Sequence, residues 1–381
     1  MTFAYFDNAA TSPVCPEAAG AAELAVRSVW GNPSAASRPG SEARRLLEES
    51  RKTVKESLGA SGGSVVFTGS GTESDNLAIL GTLKAKNRIR SGMKRIITTG
   101  DEHPAVLSAF DEAERLGFEK KIISVRDGLI DFDELESLLD DSVALVSVMT
   151  VNNETGALYP IGKISELVRK KAPGAFIHTD AVQGYMKTDC SHEKNGCDLI
   201  SVSGHKIGGL KGVGALWISD GMIRSHDISP VIFGGGQEGG LRSGTENVPG
   251  IAAMAAAVRA RHDNSIVVRI RKMILDGLPD GFEPNVPAGG YIPHILSVYC
   301  GGIKSEVMVR FLSERGIHVS SGSACSTRKL KTSHALTAFG LSEKRADSTI
   351  RISISENNVV PDAETLLLGL AEAKRNLISR R

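Results

Sequence analysis

The sequence lacks several features that define other classes of protein. Its 381 residues contain no apolar run long enough to span a bilayer, and the Met1 end has no basic region followed by an apolar core. The formal net charge is only +1, which gives no electrostatic case for binding nucleic acid or a membrane surface. We therefore expect a cytoplasmic protein without a signal peptide, a nucleic-acid partner or a membrane partner.

Cysteine is scarce and irregularly spaced. The sequence has five cysteines, which are Cys15, Cys190, Cys197, Cys300 and Cys325. An odd number at scattered positions favours free thiols in a reducing compartment over a disulfide framework. Cys190 and Cys197 have no second ligand pair at zinc spacing, so no metal site is predicted.

Length and periodicity indicate an α/β protein with two domains. A chain of 381 residues is too long for one ordinary core. Predicted strands alternate with predicted helices, which favours a mostly parallel sheet covered by helices. The strands are predicted at 65–68, 95–99, 121–125 and 143–151, and the helices at 77–90, 104–116, 132–139 and 164–171. A helix from 248 to about 278, followed by strands at 295–299, 317–320 and 349–353, predicts a smaller α/β domain.

One lysine, Lys206, lies in a small-residue loop between two apolar runs that read as buried strands. A lysine held by rigid strands is suited to a Schiff base. Asp180 lies near the end of the preceding predicted strand, where a carboxylate can keep a pyridine nitrogen protonated. A solvated lysine in a turn is the alternative, but Ser203 and His205 stand beside Lys206 as hydrogen-bond donors. This pattern predicts pyridoxal 5'-phosphate as the cofactor.

A phosphate site is predicted where the strand at 65–68 runs through a glycine turn into a helix. The turn does not fit G-x-x-x-x-G-K-[ST], which excludes a nucleotide P-loop. Other candidate residues follow apolar runs, as expected at the carboxyl ends of parallel strands; they are His103, Asn153, Asp180 and Gln183. The glycine-dense segment 234–247 carries interleaved polar residues, which favours a ligand-facing loop over a linker.

An ordered set of motifs covers nearly the whole chain. The motifs are Asp7-Asn-Ala-Ala-Thr, Gly31-Asn-Pro-Ser, Gly71-Thr-Glu-Ser, Glu102-His-Pro-Ala-Val, Val151-Asn-Asn-Glu-Thr-Gly, Thr179-Asp-Ala-Val-Gln, Ser203-Gly-His-Lys, Gly234-Gly-Gly-Gln-Glu, Arg242-Ser-Gly-Thr-Glu-Asn, Ser320-Ser-Gly-Ser-Ala-Cys and Ile350-Arg-Ile-Ser. Each is weak alone, but the ordered set is specific and resembles the group I cysteine desulfurases. The resemblance implies fold type I of the pyridoxal-phosphate enzymes, in the class-V aminotransferase family. It implies a large domain at 16–250 with a mainly parallel seven-stranded sheet, and a small domain formed by 1–15 and 251–381.

The resemblance also implies a role for each matching residue. Lys206 would carry the cofactor and move the substrate Cα proton, His103 would stack on the cofactor ring and shuttle a proton, and the Cys325 thiolate would take the substrate sulfur as a persulfide, leaving alanine. Lys329 and Lys331 would favour that thiolate. The implied cofactor contacts are Gly71, Thr72, His103, Asn153, Asp180, Gln183, Ser203, His205, Lys206 and Thr245. The implied substrate contacts are Arg351, Asn32 and Asn153.

The implied partners are L-cysteine, a second copy of the chain and a sulfur acceptor such as an iron–sulfur scaffold or a thiolation enzyme. Thr245 would reach the phosphate in the other subunit of the dimer. Two departures from the family pattern stand out. Segment 34–38 has no histidine, which concerns the contacts at the site entrance and not the chemistry, and the longer tail of some relatives is missing, so the acceptor is expected to dock differently.

Three alternatives stay open from the sequence. The first is a selenocysteine lyase or another pyridoxal-phosphate-dependent C–S lyase, which the presence of Cys325 disfavours. The second is a sulfur-relay binding module without catalysis, which intact Lys206, Asp180, His103 and Arg351 disfavour. The third is an aminotransferase, which has no need for a second nucleophile.

Overall fold

The computed structural model describes residues 3–260, 262–321 and 333–378. The strands within these residues are β1 (Ala4–Tyr5), β2 (Ser64–Thr68), β3 (Arg95–Thr99), β4 (Glu119–Ile123), β5 (Val125–Arg126), β6 (Leu129–Ile130), β7 (Val143–Ser147), β8 (Phe176–Asp180), β9 (Leu199–Ser203), β10 (Gly214–Ile218), β11 (Phe282–Pro284), β12 (Ile295–Cys300), β13 (Ile317–His318) and β14 (Thr349–Ser353).

The α-helices within the same residues are α1 (Pro16–Ser28), α2 (Arg38–Ser57), α3 (Gly71–Asn76), α4 (Thr82–Lys84), α5 (Lys86–Ser91), α6 (Pro104–Arg115), α7 (Phe132–Leu138), α8 (Ile161–Lys171), α9 (His192–Asn195), α10 (Asp220–Ser225), α11 (Val248–Arg259), α12 (Asn264–Asp276), α13 (Ser305–Ser313), α14 (His334–Ala338), α15 (Glu343–Asp347) and α16 (Val360–Ile378). A π-helical turn, Leu77–Gly81, joins α3 to α4. Among these helices none is both long enough and apolar enough to cross a membrane.

The largest sheet in the described part of the chain has seven strands in the order β2-β10-β9-β8-β7-β3-β4. Neighbouring strands are parallel except at β10, which runs antiparallel to both β2 and β9. The predicted α/β class and the mainly parallel seven-stranded sheet are therefore confirmed. Because β3, β7, β8 and β9 are parallel, the residues that follow them meet at one edge of the sheet.

The two largest hydrophobic cores among the described residues divide, apart from the N-terminal residues, at the chain segment between α11 and α12. The first core packs the large sheet against surrounding helices and includes Ile251 and Met254 of α11. The second core packs the three-stranded sheet β11-β12-β14 with α12, α13 and α16. The domain division at residues 250 and 251 stays a prediction, although α11 contributes its apolar side chains to the first core.

Several predicted elements are shorter than expected. The helix predicted from 248 to about 278 is wrong as one element, since α11 ends at Arg259 and α12 begins at Asn264. The intervening residues are polar, and the Asp263 side chain caps α12 by accepting a hydrogen bond from Ser265 N at 2.9 Å. The strand predicted at 143–151 ends at Ser147, and Met149 N donates to the Glu102 carboxylate at 2.6 Å instead.

The segment formed by residues 4–12 connects the second core to the edge of the large sheet. Its strand β1 pairs in parallel with β13, and Asn8 Nδ2 donates to Ser353 O at 2.9 Å. At the other end of the segment, Ser12 N donates to His205 O at 2.9 Å. This segment therefore contacts both β14 and the loop that carries Lys206.

Candidate active site

Lys206 lies directly after β9, at the end of the 3₁₀ turn Gly204–Lys206. Its Nζ donates to Ala9 O at 2.6 Å and to Ala10 O at 2.8 Å. The lysine therefore bridges the carboxyl edge of the large sheet and the N-terminal segment. The predicted position of Lys206 in a loop between two buried strands is what the structure has, because β9 and β10 are both fully buried.

Asp180 is the last residue of β8, the strand beside β9. Its Oδ1 accepts a hydrogen bond from Val182 N at 2.9 Å. Burial raises the pKa of Asp180, whereas the nearby charges of His103 and Lys206 act in the opposite direction. Asp180, Lys206 and His103 thus lie at or after the carboxyl ends of three strands, β8, β9 and β3.

His103 precedes α6 and caps it, since its Nδ1 accepts a hydrogen bond from Ala105 N at 3.2 Å. A neutral imidazole that accepts at Nδ1 carries its proton on Nε2. Burial lowers the pKa of His103, with Asp180 opposing and Lys206 reinforcing that shift. The geometry therefore favours a neutral imidazole whose Nε2–H is a donor.

Small and polar groups crowd the place where α3 begins. A Cβ atom at Gly71 would lie 2.7 Å from Val182 Cγ2 and 3.5 Å from Ser203 Cβ, so glycine permits α3 to meet the ends of β8 and β9. Ser203 Oγ is buried and has no hydrogen-bond partner among the described residues. The imidazole of His205 contacts Thr11 Oγ1 through Nδ1 at 3.2 Å, and burial lowers the pKa of His205 to about 4.

Gln183 follows β8 and joins the same N-terminal segment as Lys206. Its Nε2 donates to Ala9 O at 2.8 Å, and its Oε1 accepts from Lys187 Nζ at 3.3 Å. Ala9 O thus accepts from both Gln183 and Lys206. The main-chain carbonyl fixes the distance between the two side chains.

Arg351 lies on β14 and reaches from the second core toward the large sheet. Its Nη1 donates to Asn153 O at 2.9 Å, and its Nη2 donates to Asp7 Oδ1 at 2.8 Å. The guanidinium is 4% exposed, and its Nε has no partner among the described residues. A buried guanidinium with this unused donor is suited to a carboxylate ligand.

Cys325, Lys329 and Lys331 lie outside the described residues, but both flanks of their segment are described. On one side, Ser320 N donates to Arg351 O at 3.1 Å. On the other side, Ser333 Oγ donates to Glu154 Oε2 at 2.7 Å, and His334 Nε2 contacts Glu102 O at 2.9 Å. Each flank therefore contacts residues adjacent to the candidate site.

Three predicted residues are exposed in the single chain: Asn32, Thr72 and Thr245. The loop that carries Thr245 is anchored by a buried ion pair, in which Arg51 Nη1 lies 2.5 Å from Glu238 Oε2. The same Glu238 oxygen accepts from Phe67 N at 2.9 Å. The glycine-dense segment is thus a fixed loop at its Glu238 end, as the interleaved polar residues predicted.

Sequence reasoning gave no role to Asp7, Asp75, Glu102 or Lys187, which adjoin the site. Asp75 lies on α3, and burial together with the charge of Asp180 raises its pKa well above the ordinary value. Burial also raises the pKa of Glu102. The sequence contained one signal for Lys187, because it stands four residues after Gln183 and such spacing allows contact across one turn.

The chain matches a known protein family and is similar in sequence to curated proteins. Residues 4–366 match the family described as Aminotransferase class-V. A NifS/IcsS protein homolog from Lactobacillus delbrueckii subsp. bulgaricus is 37% identical, with 97% of this chain and 96% of the relative covered. A putative cysteine desulfurase IscS 1 from Bacillus subtilis is 36% identical, with coverage of 98% and 99%.

Solved structures agree with the sequence relatives. A NifS-like protein superposes with a TM-score of 0.89 at 34% identity, with 98% of this chain and 100% of that chain covered. A structure described as SspA in complex with cysteine has a TM-score of 0.82 at 32% identity, with coverage of 93% and 100%. The likeness therefore extends over both hydrophobic cores and over the segment between them.

Proposed function

The chain belongs to the class-V aminotransferase family, among the cysteine desulfurases, and on that premise we propose that it takes sulfur from L-cysteine using pyridoxal 5'-phosphate. The sulfur would pass to Cys325 as a persulfide and then to an acceptor, and the other product would be L-alanine. The observation that carries this proposal is the position of Asp180, Lys206 and His103 at the carboxyl edge of the large sheet, where Asp180 ends β8, Lys206 follows β9 and His103 follows β3.

The residues present fit pyridoxal phosphate. Ser203 Oγ is a buried hydroxyl without a partner beside the start of α3, which suits a phosphate oxygen. Asp180 is a buried carboxyl that needs a cation or a donor, which a protonated pyridine nitrogen supplies. The other proposed contacts are Gly71, Thr72, His103, Asn153, Gln183, His205, Lys206 and Thr245. When bound, the cofactor supplies an electron sink for the substrate carbanion.

The protein groups would divide the remaining work. Arg351 would bind the carboxylate of L-cysteine, with Asn32 and Asn153 beside it, and so fix the orientation of Cα. Lys206 Nζ would take the Cα proton and later return a proton to the product. His103 would contact the cofactor ring and shuttle a proton through Nε2. Asp180 would hold the proton of the ring nitrogen.

Cys325 would perform the sulfur transfer. Its thiolate would attack the substrate sulfur, so that a sulfur–sulfur bond forms while the substrate Cβ–S bond breaks. The three-carbon remainder would take up a proton at Cβ and leave as alanine. Support comes from the described flanks of the segment, since Ser320 contacts Arg351 and Ser333 contacts Glu154.

Assembly and location are further parts of the proposal. Thr245 is exposed at the end of a loop that Arg51 and Glu238 anchor, which suits a residue that completes the phosphate site of a second copy. A homodimer is therefore proposed, in the cytoplasm, with a sulfur acceptor such as an iron–sulfur scaffold or a thiolation enzyme.

The test is incubation of the cofactor-loaded protein with L-cysteine in the absence of reductant. We expect alanine to appear and the peptide bearing Cys325 to gain the mass of one sulfur atom. Cys325→Ser should keep the visible cofactor band and form almost no alanine. Cys15→Ser is the matched control, because Cys15 is a partly exposed free thiol and should be dispensable. Desulfuration by Cys325→Ser at the wild-type rate would favour a C–S lyase without a protein-bound sulfur.

A further inference from the structure

A cavity of about 230 Å³ is lined by Lys206 and by residues that belong to or flank both cores. Its lining includes four titratable side chains that the proposed mechanism does not use, namely Lys187, His262, His294 and Glu356. Lys187 belongs to the turn after β8, whereas the other three precede or follow elements of the second core. The cavity therefore brings titratable groups from both parts of the chain next to Lys206.

The turn after β8 places Lys187 against Gln183. Lys187 N donates to Gly184 O at 2.9 Å, and Lys187 Nζ donates to Gln183 Oε1 at 3.3 Å. A lysine ammonium can only donate, so it selects the amide oxygen and excludes the amide nitrogen from that side. The Gln183 nitrogen must then face the opposite side, where it donates to Ala9 O at 2.8 Å beside Lys206.

We propose that Lys187 is a positioning residue, which acts through Gln183 by fixing the side-chain amide so that Nε2 is the group presented at the cofactor site. The inference rests on the proposed function, and it takes the proposed contact of Gln183 with the cofactor to be a hydrogen bond from Nε2–H to the phenolic oxygen. With the amide reversed, an acceptor oxygen would face that phenolic oxygen and repel it. The direction of one hydrogen bond behind the site thus determines the polarity of a contact inside it.

The groups around Lys187 make its hydrogen bond to Gln183 depend on pH. Burial lowers the pKa of Lys187 to about 8, with Glu356 favouring the proton and Arg351 disfavouring it. The charge of Lys187 in turn disfavours protonation of His205, His262 and His294, although the hydrogen bond to Glu356 raises the pKa of His262 overall. A neutral amine can accept as well as donate, so the selection of the amide oxygen weakens above about pH 8.

The sign of the effect on the cofactor follows from charge. A donor at the phenolic oxygen stabilises negative charge there, so the Lys206 nitrogen of the loaded enzyme releases its proton more readily. Loss of that donor should therefore raise the midpoint of the visible spectral titration. The visible titration is recorded without substrate, so it does not depend on turnover.

The test is a double-mutant cycle on cofactor-loaded protein, read as the midpoint of the visible titration. Lys187→Met should raise the midpoint by about half to one pH unit, the size expected for one hydrogen bond. Gln183→Ala should raise it at least as far, and the double variant should match Gln183→Ala alone. Lys211→Met is the charge control, because exposed Lys211 also lowers the pKa of His205, and it should leave the midpoint unchanged.

An unchanged midpoint in Lys187→Met would overturn the inference. So would a shift that persists in full in the Gln183→Ala background, because Lys187 would then act only through its charge. If Lys187→Met does not fold, Lys187→Arg and Lys187→Gln replace it. The arginine side chain can only donate, so Lys187→Arg should keep the wild-type midpoint. Lys187→Gln can also accept, so it should raise the midpoint. A wild-type protein that takes up no cofactor would instead contradict the proposed function.

Discussion

Arg351 Nη2 donates to Asp7 Oδ1 at 2.8 Å, which joins the strand β14 to the N-terminal segment across the candidate site. The same guanidinium holds Asn153 O through Nη1 at 2.9 Å. A planar fork is required for these two contacts, and a third donor, Nε, is still unused among the described residues. A substrate carboxylate would therefore meet a guanidinium whose orientation is already fixed.

Replacing that fork should weaken substrate binding. Arg351→Lys is expected to raise KM for L-cysteine by about 10- to 100-fold with a smaller change in kcat, because one ammonium cannot serve Asp7, Asn153 and the substrate together. Steady-state alanine formation measures both constants. Arg315→Lys is the control, since Arg315 pairs at 2.8 Å with Glu372 away from the site; equal KM values for the two variants would remove Arg351 from substrate binding.

The same substitution, Asp to Asn, should affect alanine formation very differently at two buried aspartates. Asp180→Asn removes the carboxylate proposed to hold the ring proton, and should lower alanine formation by about a hundredfold or more. Asp75→Asn should lower it much less, because burial and the charge of Asp180 raise the pKa of Asp75 well above the ordinary value and so disfavour its carboxylate form. Kinetics and cofactor titration of the two variants check this, and similar losses in both would show that burial alone explains them.

The ion pair beneath the glycine-dense loop should contribute strongly to stability. Glu238→Ala removes the buried carboxylate partner of Arg51, which keeps only Val65 O inside the protein, and leaves Phe67 N without its acceptor. Removing one partner of a buried ion pair typically costs about 3–5 kcal/mol. Glu48→Ala removes the exposed second partner of Arg51 and should cost at most about 1 kcal/mol. Denaturant unfolding measures both variants, and a small cost for Glu238→Ala would mean that the loop is held by other contacts.

The pair formed by His262 and Glu356, at 3.3 Å between Nδ1 and Oε1, should stabilise the fold in acid more than in base. The hydrogen bond to Glu356 raises the pKa of His262 above 6.5, and the bond to His262 lowers the pKa of Glu356 below 4.5. The histidine contribution is full below pH 6.5 and is lost as pH rises through its raised pKa. The glutamate contribution is full above pH 4.5 and is lost as pH falls through its lowered pKa.

Glu356→Gln should therefore lower the melting temperature most near pH 5.5 and much less near pH 8.5. The pair is partly exposed, so the free-energy difference is expected to stay near 1 kcal/mol or below. Glu314→Gln is the control, because its partner Arg310 is an arginine and not a histidine. A difference that does not change with pH would show that His262 is not the titrating partner.

Sequence periodicity predicted the sheet, because a buried strand needs only a short apolar run and a polar turn. It also placed Lys206, Asp180 and His103 at strand ends, where the fold brings them together. It could not predict that Asp7 would bind Arg351, since the two lie far apart in the chain and neither has a local pattern. It also joined α11 to α12, because the polar residues between them look like the exposed face of one helix.

The position of Ala9 has a consequence for how the protein is made. Its carbonyl accepts from Gln183 and Lys206, and its amide donates to Ser353 Oγ, 344 residues further along the chain. Residues 4–12 leave the ribosome long before their partner on β14, and the contact between them can form only once β14 has been made. We therefore infer that the lysine acquires its final neighbours only after β14 has emerged.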